Sequence, residues 1–105
     1  MPQFTAYQNK NTQTKKLIPL LLDVQTELLG ELQTRVVVPL TAVEQSAAKQ
    51  MSRLTPLLEI EGKSYLMLTP QLAGINKKEL GNPVADLSSA RNEIVAALDF
   101  LVTGF

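Results

Sequence analysis

The sequence offers few of the side chains from which active sites are usually built. Its 105 residues include no histidine and no cysteine, which removes the usual general base near neutral pH, thiolate metal ligands and disulfides. Ser88 and Ser89 therefore have no histidine to activate them. Asp23, Glu27 and Glu31 lie four residues apart, a spacing more typical of a solvated turn than of an acid/base pair. We predict that the chain is not an enzyme, holds no metal or cofactor, and acts by binding another protein.

One enzymatic alternative stays open on composition. A ribonuclease that needs no metal could work with arginine, aspartate and threonine side chains. The candidates of the first two types are Arg35, Arg53, Arg91 and Asp23. Their spacing does not distinguish them from ordinary surface charges.

Composition and charge indicate one globular domain over residues 1–105. Hydrophobic residues make up 45% of the chain and charged residues 19%, as in typical globular domains. Ten basic residues balance ten acidic ones, so no net field favours direct binding of nucleic acid or of an anionic membrane. No apolar run reaches the length of a membrane span, and residues 1–5 lack the features of a signal peptide. These features predict a cytoplasmic protein.

The basic residues cluster early in the chain. Lys10, Lys15 and Lys16 all precede the first acidic residue, Asp23. They lie in a polar stretch, residues 8–16, which predicts a solvated loop. A docking patch for an acidic peptide is the alternative interpretation.

Most of the chain has the pattern of short strands. Segments rich in β-branched, aromatic and other apolar residues predict about five antiparallel strands, at residues 4–7, 17–24, 35–40, 56–60 and 63–69. Pro19 favours a strand start or an edge position, and Pro39 is expected to end the third strand. Glu61 and Gly62 predict a hairpin turn between the last two. Residues 41–53 are expected to form a helical turn or a long loop. Residues 70–83, which contain Gly74, Gly81 and Pro83, are expected to form an irregular segment.

The C-terminal segment changes to a helical period. Ser88 is a plausible N-cap, and an apolar face follows at Ala90, Ile94, Ala97, Leu98 and Leu101. A polar stripe of Asn92, Asp99 and Thr103 leads to Gly104 and Phe105. Either the stripe is simply solvated and Phe105 packs on the core, or the helix and tail form a docking surface. The pattern as a whole predicts a mainly β protein with a C-terminal α-helix.

Six short motifs, in order and at matching spacing, resemble the CcdB toxins of plasmid-maintenance toxin–antitoxin modules. They are residues 3–4, 23–29, 35–40, 65–69, 84–88 and 104–105. The resemblance implies a small antiparallel Src-homology-like barrel of the CcdB/Kid toxin type, paired as a homodimer. It also implies a toxin that binds the A subunit of DNA gyrase and traps the enzyme on cleaved DNA. A CcdA-like antitoxin would neutralise it, and the pair would repress its own operon.

The resemblance also assigns residues. Carried over by position, the gyrase-binding site comprises Leu28, Leu29, Asn92, Asp99, Thr103, Gly104 and Phe105. The antitoxin would run along Lys10, Lys15 and Lys16.

This chain departs from the family pattern at several of these positions. The family has asparagine at Asp99, tryptophan at Thr103 and isoleucine at Phe105. It also has Val-Pro-Val where Ile75, Asn76 and Lys77 stand, which puts the local backbone there in question. Two alternatives follow: an endoribonuclease toxin, since related toxins with this barrel cut messenger RNA, or a relative that binds antitoxin but no longer poisons gyrase.

Overall fold

The computed structural model describes residues 2–45 and 53–104. Within those ranges, seven antiparallel strands form one curled sheet, and an α-helix follows the last strand. The strands are β1 (Thr5–Asn9), β2 (Leu20–Asp23), β3 (Thr34–Ala42), β4 (Leu57–Ile60), β5 (Lys63–Met67), β6 (Ala73–Asn76) and β7 (Leu80–Asp86), and the helix is α1 (Arg91–Thr103). The sheet order is β4-β5-β3-β2-β1-β7, with β6 paired to β3. The predicted class, a mainly β fold with a C-terminal helix, is therefore confirmed.

Strand β3 organises the sheet because it changes partner along its length. Its first residues pair with β6, from Thr34 opposite Asn76, and its last residues pair with β5, from Leu40 opposite Met67. Pro39 lies between the two pairings, where its missing N–H leaves no ladder bond unmade on that edge. The prediction that Pro39 ends this strand is therefore wrong, since β3 continues to Ala42.

The prediction of about five strands, with an irregular segment at residues 70–83, is also wrong. Strand β6 and the start of β7 lie there, joined by a 3₁₀ helix at Lys77–Glu79. Gly74, Gly81 and Pro83 suggested a loop, but they lie within strands β6 and β7. A Cβ at Gly81 would lie 2.9 Å from the Cβ of Gln8 on the neighbouring strand. Pro83 lies on β7, which among the described strands pairs only with β1, and proline is tolerated on such an edge.

Alternating residues of the central strands enter two separate hydrophobic clusters. Leu22, Val38 and Leu40 belong to the larger cluster, which also contains Ile94 and Ala97 of α1. Leu21 and Val37, their neighbours along the same strands, belong to a smaller cluster on the opposite face. This is the two-residue period of a sheet, and it buries β3 on both of its faces. Helix α1 therefore covers only one face.

The predicted β4–β5 hairpin is confirmed. Its turn residues Glu61 and Gly62 have φ angles of 53° and 80°, the left-handed conformation that two-residue hairpin loops require. Strand β2 begins directly after Pro19, as the proline suggested. The turn or loop predicted at residues 41–53 is wrong at its start, because residues 41–42 still belong to β3. A 3₁₀ turn follows at Val43–Gln45, and most of the remaining segment, residues 46–52, lies outside the described ranges.

Helix α1 begins later than predicted. Its N-cap is Ala90, without a side-chain hydrogen bond, so the prediction of Ser88 as N-cap is wrong. Ser88 instead opens a 3₁₀ turn, Ser88–Ala90, and its N–H donates to Asp86 Oδ1 at 2.9 Å. Hydrogen bonds from Ser88, through its backbone N–H first and its side chain second, lower the pKa of Asp86. No helix within the described ranges is long and apolar enough to cross a membrane.

Candidate functional site

The connection from β2 to β3 presents leucines to solvent. Residues 27–32, which we call the leucine turn, begin with a 3₁₀ helix at Glu27–Leu29 and line an open cleft of about 430 Å³. Leu28 is 92% exposed, and Leu29 and Leu32 are each 48% exposed. Neither leucine of the Leu28–Leu29 pair is buried. Adjacent exposed leucines on a fixed turn are a typical contact surface for a partner.

Hydrogen bonds to neighbouring segments hold the leucine turn in place. Thr26 Oγ1 accepts from the N–H of Leu28 at 3.3 Å, which caps the 3₁₀ helix. The N–H of Gln3 donates to Glu27 Oε1 at 3.2 Å, and Lys77 Nζ donates to the carbonyl of Gly30. The turn is thus anchored at its start and at its middle, which lowers the entropy lost when it binds a partner.

A buried ion pair lies beneath this turn. Arg35 donates to Asp23 Oδ2 through Nε at 2.8 Å and Nη2 at 2.7 Å, and both side chains are fully buried. Burial raises the pKa of the Asp23 carboxyl, and the hydrogen bonds from Arg35 oppose that rise. The spacing of Asp23 suggested a solvated turn, and that interpretation is wrong, because its side chain is fully buried. Nor can Asp23 or Arg35 reach an RNA substrate, which removes two of the four residues named for a ribonuclease.

Gln25 connects the ion pair to the leucine turn. Its N–H donates to Asp23 Oδ1 at 3.0 Å, and its carbonyl accepts from Arg35 Nη2 at 3.1 Å. Its side-chain Oε1 accepts from the N–H of Val36 at 3.0 Å, and its Nε2 donates to the carbonyl of Leu29 at 3.1 Å. The sequence analysis missed Gln25. A glutamine in a polar loop carries no local signal, and two of its partners, Arg35 and Val36, lie on β3.

The end of α1 is the second predicted contact region. Asp99, Thr103 and Gly104 are exposed there, and Asn92 is exposed near the start of the helix. Gly104 has φ 78° and its N–H donates to the carbonyl of Phe100 at 2.9 Å, the left-handed cap that favours glycine. Phe105 lies outside the described ranges.

The same helix end has an exposed apolar residue that the sequence analysis missed. Val102 is 81% exposed, beside Leu101 at 39%. Its one-residue offset from Leu101 turns Val102 away from the core-facing stripe, which was a readable signal. The Thr103 hydroxyl donates back to the carbonyl of Asp99 at 2.7 Å, so Thr103 offers its methyl group more readily than its donor.

Two arginines lie over aromatic rings, one near each end of α1. The Arg53 guanidinium is 4.9 Å from the ring centre of Phe100, near the helix end. The Arg91 guanidinium is 5.5 Å from the ring centre of Phe4, at the helix start. Both distances are within the range of a cation–π contact. Each of the two remaining arginines of the ribonuclease set is thus held against an aromatic ring, Arg53 against Phe100 of α1 and Arg91 against Phe4 of the N-terminal segment.

The two regions of the predicted gyrase site are supported by different elements. Gln3, which bonds to Glu27, precedes Phe4, whose carbonyl accepts from the N–H of Leu87 at 2.8 Å just before α1. The leucine turn is thus connected to the start of the helix. The helix, 13 residues long, spans about 18 Å to its other end, where Asp99 and Thr103 lie. Among the described residues of one copy of the chain, the hydrogen bonds do not join the two regions.

The lysine loop, residues 10–16, is exposed but well structured. Asn9 Nδ2 donates to Thr14 Oγ1 at 2.9 Å and to the carbonyl of Ile18 at 2.8 Å. Lys10 and Lys15 line an open cleft of about 500 Å³, and Lys16 is exposed outside its lining. The described residues contain no group of acidic side chains able to hold a metal ion.

Comparison with known proteins places this chain in a class of toxin. The family model of the CcdB protein matches residues 3–104, nearly the whole chain. The chain therefore belongs to the CcdB family of toxins from toxin–antitoxin systems, and the predicted resemblance is confirmed.

The fold is shared with an enzyme. An endoribonuclease in complex with its cognate antitoxin, from a mycobacterial species, superposes with a TM-score of 0.75 at 15% identity. The match covers 97% of this chain and 94% of that one. The prediction that the chain is not an enzyme is contradicted, because a fold interpreted as that of a binding protein is also the fold of an endoribonuclease.

Proposed function

We propose that this chain is a toxin that binds the A subunit of DNA gyrase and traps the enzyme on cleaved DNA. The observation that carries the proposal is the exposure of apolar side chains on two hydrogen-bonded elements, the leucine turn and α1. Leu28 on the leucine turn and Val102 at the end of α1 are both more than four-fifths exposed. Both lie within or beside the residues that the family resemblance assigns to gyrase.

The helix end supplies polar recognition next to its apolar contact. Asp99 is an exposed carboxylate suited to an arginine or lysine of the partner. Thr103 cannot stack on an arginine as the family's tryptophan would, so Asp99 and Val102 take over part of that role. A symmetric homodimer would present two such helix ends and two leucine turns to a two-fold symmetric partner. Pairing of two chains is thus part of the proposal.

The second partner in the proposal is a CcdA-like antitoxin. Its binding region would include the lysine loop, where Lys10 and Lys15 line the open cleft and Lys16 lies beside it. Three exposed ammonium groups on a structured loop suit an acidic, extended peptide. Such a contact weakens with added salt, which a titration at two ionic strengths would measure.

The gyrase proposal is tested by titrating the purified protein against the dimerisation fragment of the gyrase A protein. Leu28→Ala removes the most exposed leucine and should weaken binding about 5- to 30-fold, the effect of losing about 1–2 kcal/mol of contact energy. The matched control is Leu17→Ala, which truncates a leucine that is 64% exposed outside the leucine turn. Equal affinities for the two variants and the unaltered chain would show that the leucine turn is not the contact.

RNA cleavage is the second candidate function, favoured by the fold shared with an endoribonuclease. Arg35 and Asp23 are buried, so the cations left to contact RNA in this proposal are Arg53, Arg91 and the lysine loop. The assay is incubation of the purified protein with a long single-stranded RNA, beside Arg53→Gln and Lys15→Gln. Cleavage that disappears in one of these variants would support this function. Intact RNA at concentrations that bind gyrase would exclude it.

A further inference from the structure

We propose that Gln25 is a positioning residue for gyrase binding: its side chain fixes the leucine turn on β3 in the conformation that the partner recognises. This inference rests on the proposed gyrase function. Gln25 is 7% exposed and does not itself belong to the exposed surface. It would act through the backbone of Leu29.

Hydrogen bonds from several segments converge on Gln25. Backbone and side chain of Gln25 make four hydrogen bonds, to Asp23, Arg35, Val36 and Leu29, between 3.0 and 3.1 Å. The first two fix its backbone on the buried ion pair. The last two use the opposite ends of its amide, so the side chain spans from β3 to the leucine turn. An amide suits this position because it both accepts and donates.

The side chain of Gln25 binds the end of the 3₁₀ helix in the leucine turn. The carbonyl of Leu29, the last residue of the 3₁₀ helix Glu27–Leu29, accepts from the N–H of Leu32 at 3.2 Å and from Gln25 Nε2 at 3.1 Å. The first bond lies within the leucine turn, and the second ties the turn to a residue outside it. Leu28 and Leu29 have little packing of their own, since they are about half exposed or more. Their direction therefore depends on the backbone, and the bond from Gln25 Nε2 fixes that backbone near its end.

Two substitutions separate the two ends of the amide. Gln25→Met keeps the length of the side chain and removes both of its bonds. Gln25→Glu keeps an acceptor for the N–H of Val36 but has no donor for the carbonyl of Leu29 when ionised. If positioning depends on Leu29, both variants should bind the dimerisation fragment of gyrase about 5- to 10-fold more weakly. The matched control is Gln33→Ala, a glutamine with an exposed side chain just beyond the leucine turn.

A double-mutant cycle distinguishes positioning from general destabilisation. If Gln25 acts through the leucine turn, Gln25→Met should weaken binding much less in a Leu28→Ala background than alone. Additive losses in the cycle would overturn the inference. So would an unchanged affinity of Gln25→Glu, folded by circular dichroism, while Leu28→Ala binds weakly. If the unaltered chain does not bind the fragment at all, the proposed function itself fails, which is a separate result.

Discussion

Replacing Asp23 with asparagine removes the negative charge from the buried ion pair beneath the leucine turn. The carboxylate accepts two hydrogen bonds from Arg35 and one from the N–H of Gln25. Asparagine offers one oxygen and turns an N–H₂ group toward donors. Arg35, fully buried, would then be a cation without its carboxylate. Breaking a buried pair in this way costs about 3–5 kcal/mol, a large share of the roughly 5–15 kcal/mol typical of a whole domain.

The assay is urea unfolding followed by circular dichroism at neutral pH. With a slope of about 1–1.5 kcal/mol per molar urea for a chain of this size, Asp23→Asn should lower the midpoint by roughly 2–5 M or prevent folding. Glu31→Gln is the control, because Glu31 is an exposed carboxylate in the same connection and its loss should stay within about 0.5 kcal/mol. A second variant, Asp23→Leu combined with Arg35→Met, replaces the pair by apolar side chains and should recover much of the lost stability.

The reasoning would be refuted if Asp23→Asn cost less than about 1 kcal/mol. Such a result would mean that Arg35 reaches solvent or another acceptor when Asp23 is neutral. The apolar double variant also separates stability from function. It should fold, but it removes the bonds that fix the Gln25 backbone, so its affinity for the gyrase fragment should fall below that of the unaltered chain.

Two further predictions concern the helix and its approach. Thr103→Trp restores the aromatic residue of the family pattern, and a cation–π contact worth about 0.5–2 kcal/mol should raise gyrase affinity from about twofold to thirtyfold; unchanged affinity in a titration would place Thr103 outside the interface. Asp86→Ala should destabilise the chain more at pH 6 than at pH 2.5. The pKa of Asp86 is lowered on folding, so its contribution is present above the ordinary value of 3.8 and is lost as the pH falls through the folded value. An equal urea-midpoint difference at both pH values would contradict the assignment of that hydrogen bond to the charged carboxyl.

Local patterns were sufficient where the chain's own neighbours decide the structure. The Glu61-Gly62 turn needs positive φ angles that glycine favours, and the helix face at Ile94 and Ala97 follows directly from spacing. Strand β6 could not be found in this way, because it is stabilised by pairing with the first half of β3. Glycine at Gly81 was interpreted as a loop signal, but its role is to allow close approach to β1.

The candidate site also contains some residues that the sequence identified and others that depend on contacts between distant segments. The family resemblance identified Leu28 and Leu29, whose exposure is consistent with a contact role. It gave no indication that Arg35 and Asp23 form a buried pair, since they are 12 residues apart and charged residues are usually exposed. Gln25 depends on three separate segments at once. The role of such a residue can be recognised only when the relative placement of the strands is known.

The most direct test of the central claim is a gyrase cleavage assay. Gyrase, ATP and supercoiled plasmid DNA are incubated with the purified protein, and the reaction is stopped with detergent and protease. The account predicts that linear DNA accumulates with increasing protein, and that Leu28→Ala requires a higher concentration than Leu17→Ala for the same effect. Plasmid that stays supercoiled, without linear DNA, at protein concentrations well above those of gyrase, would contradict the account.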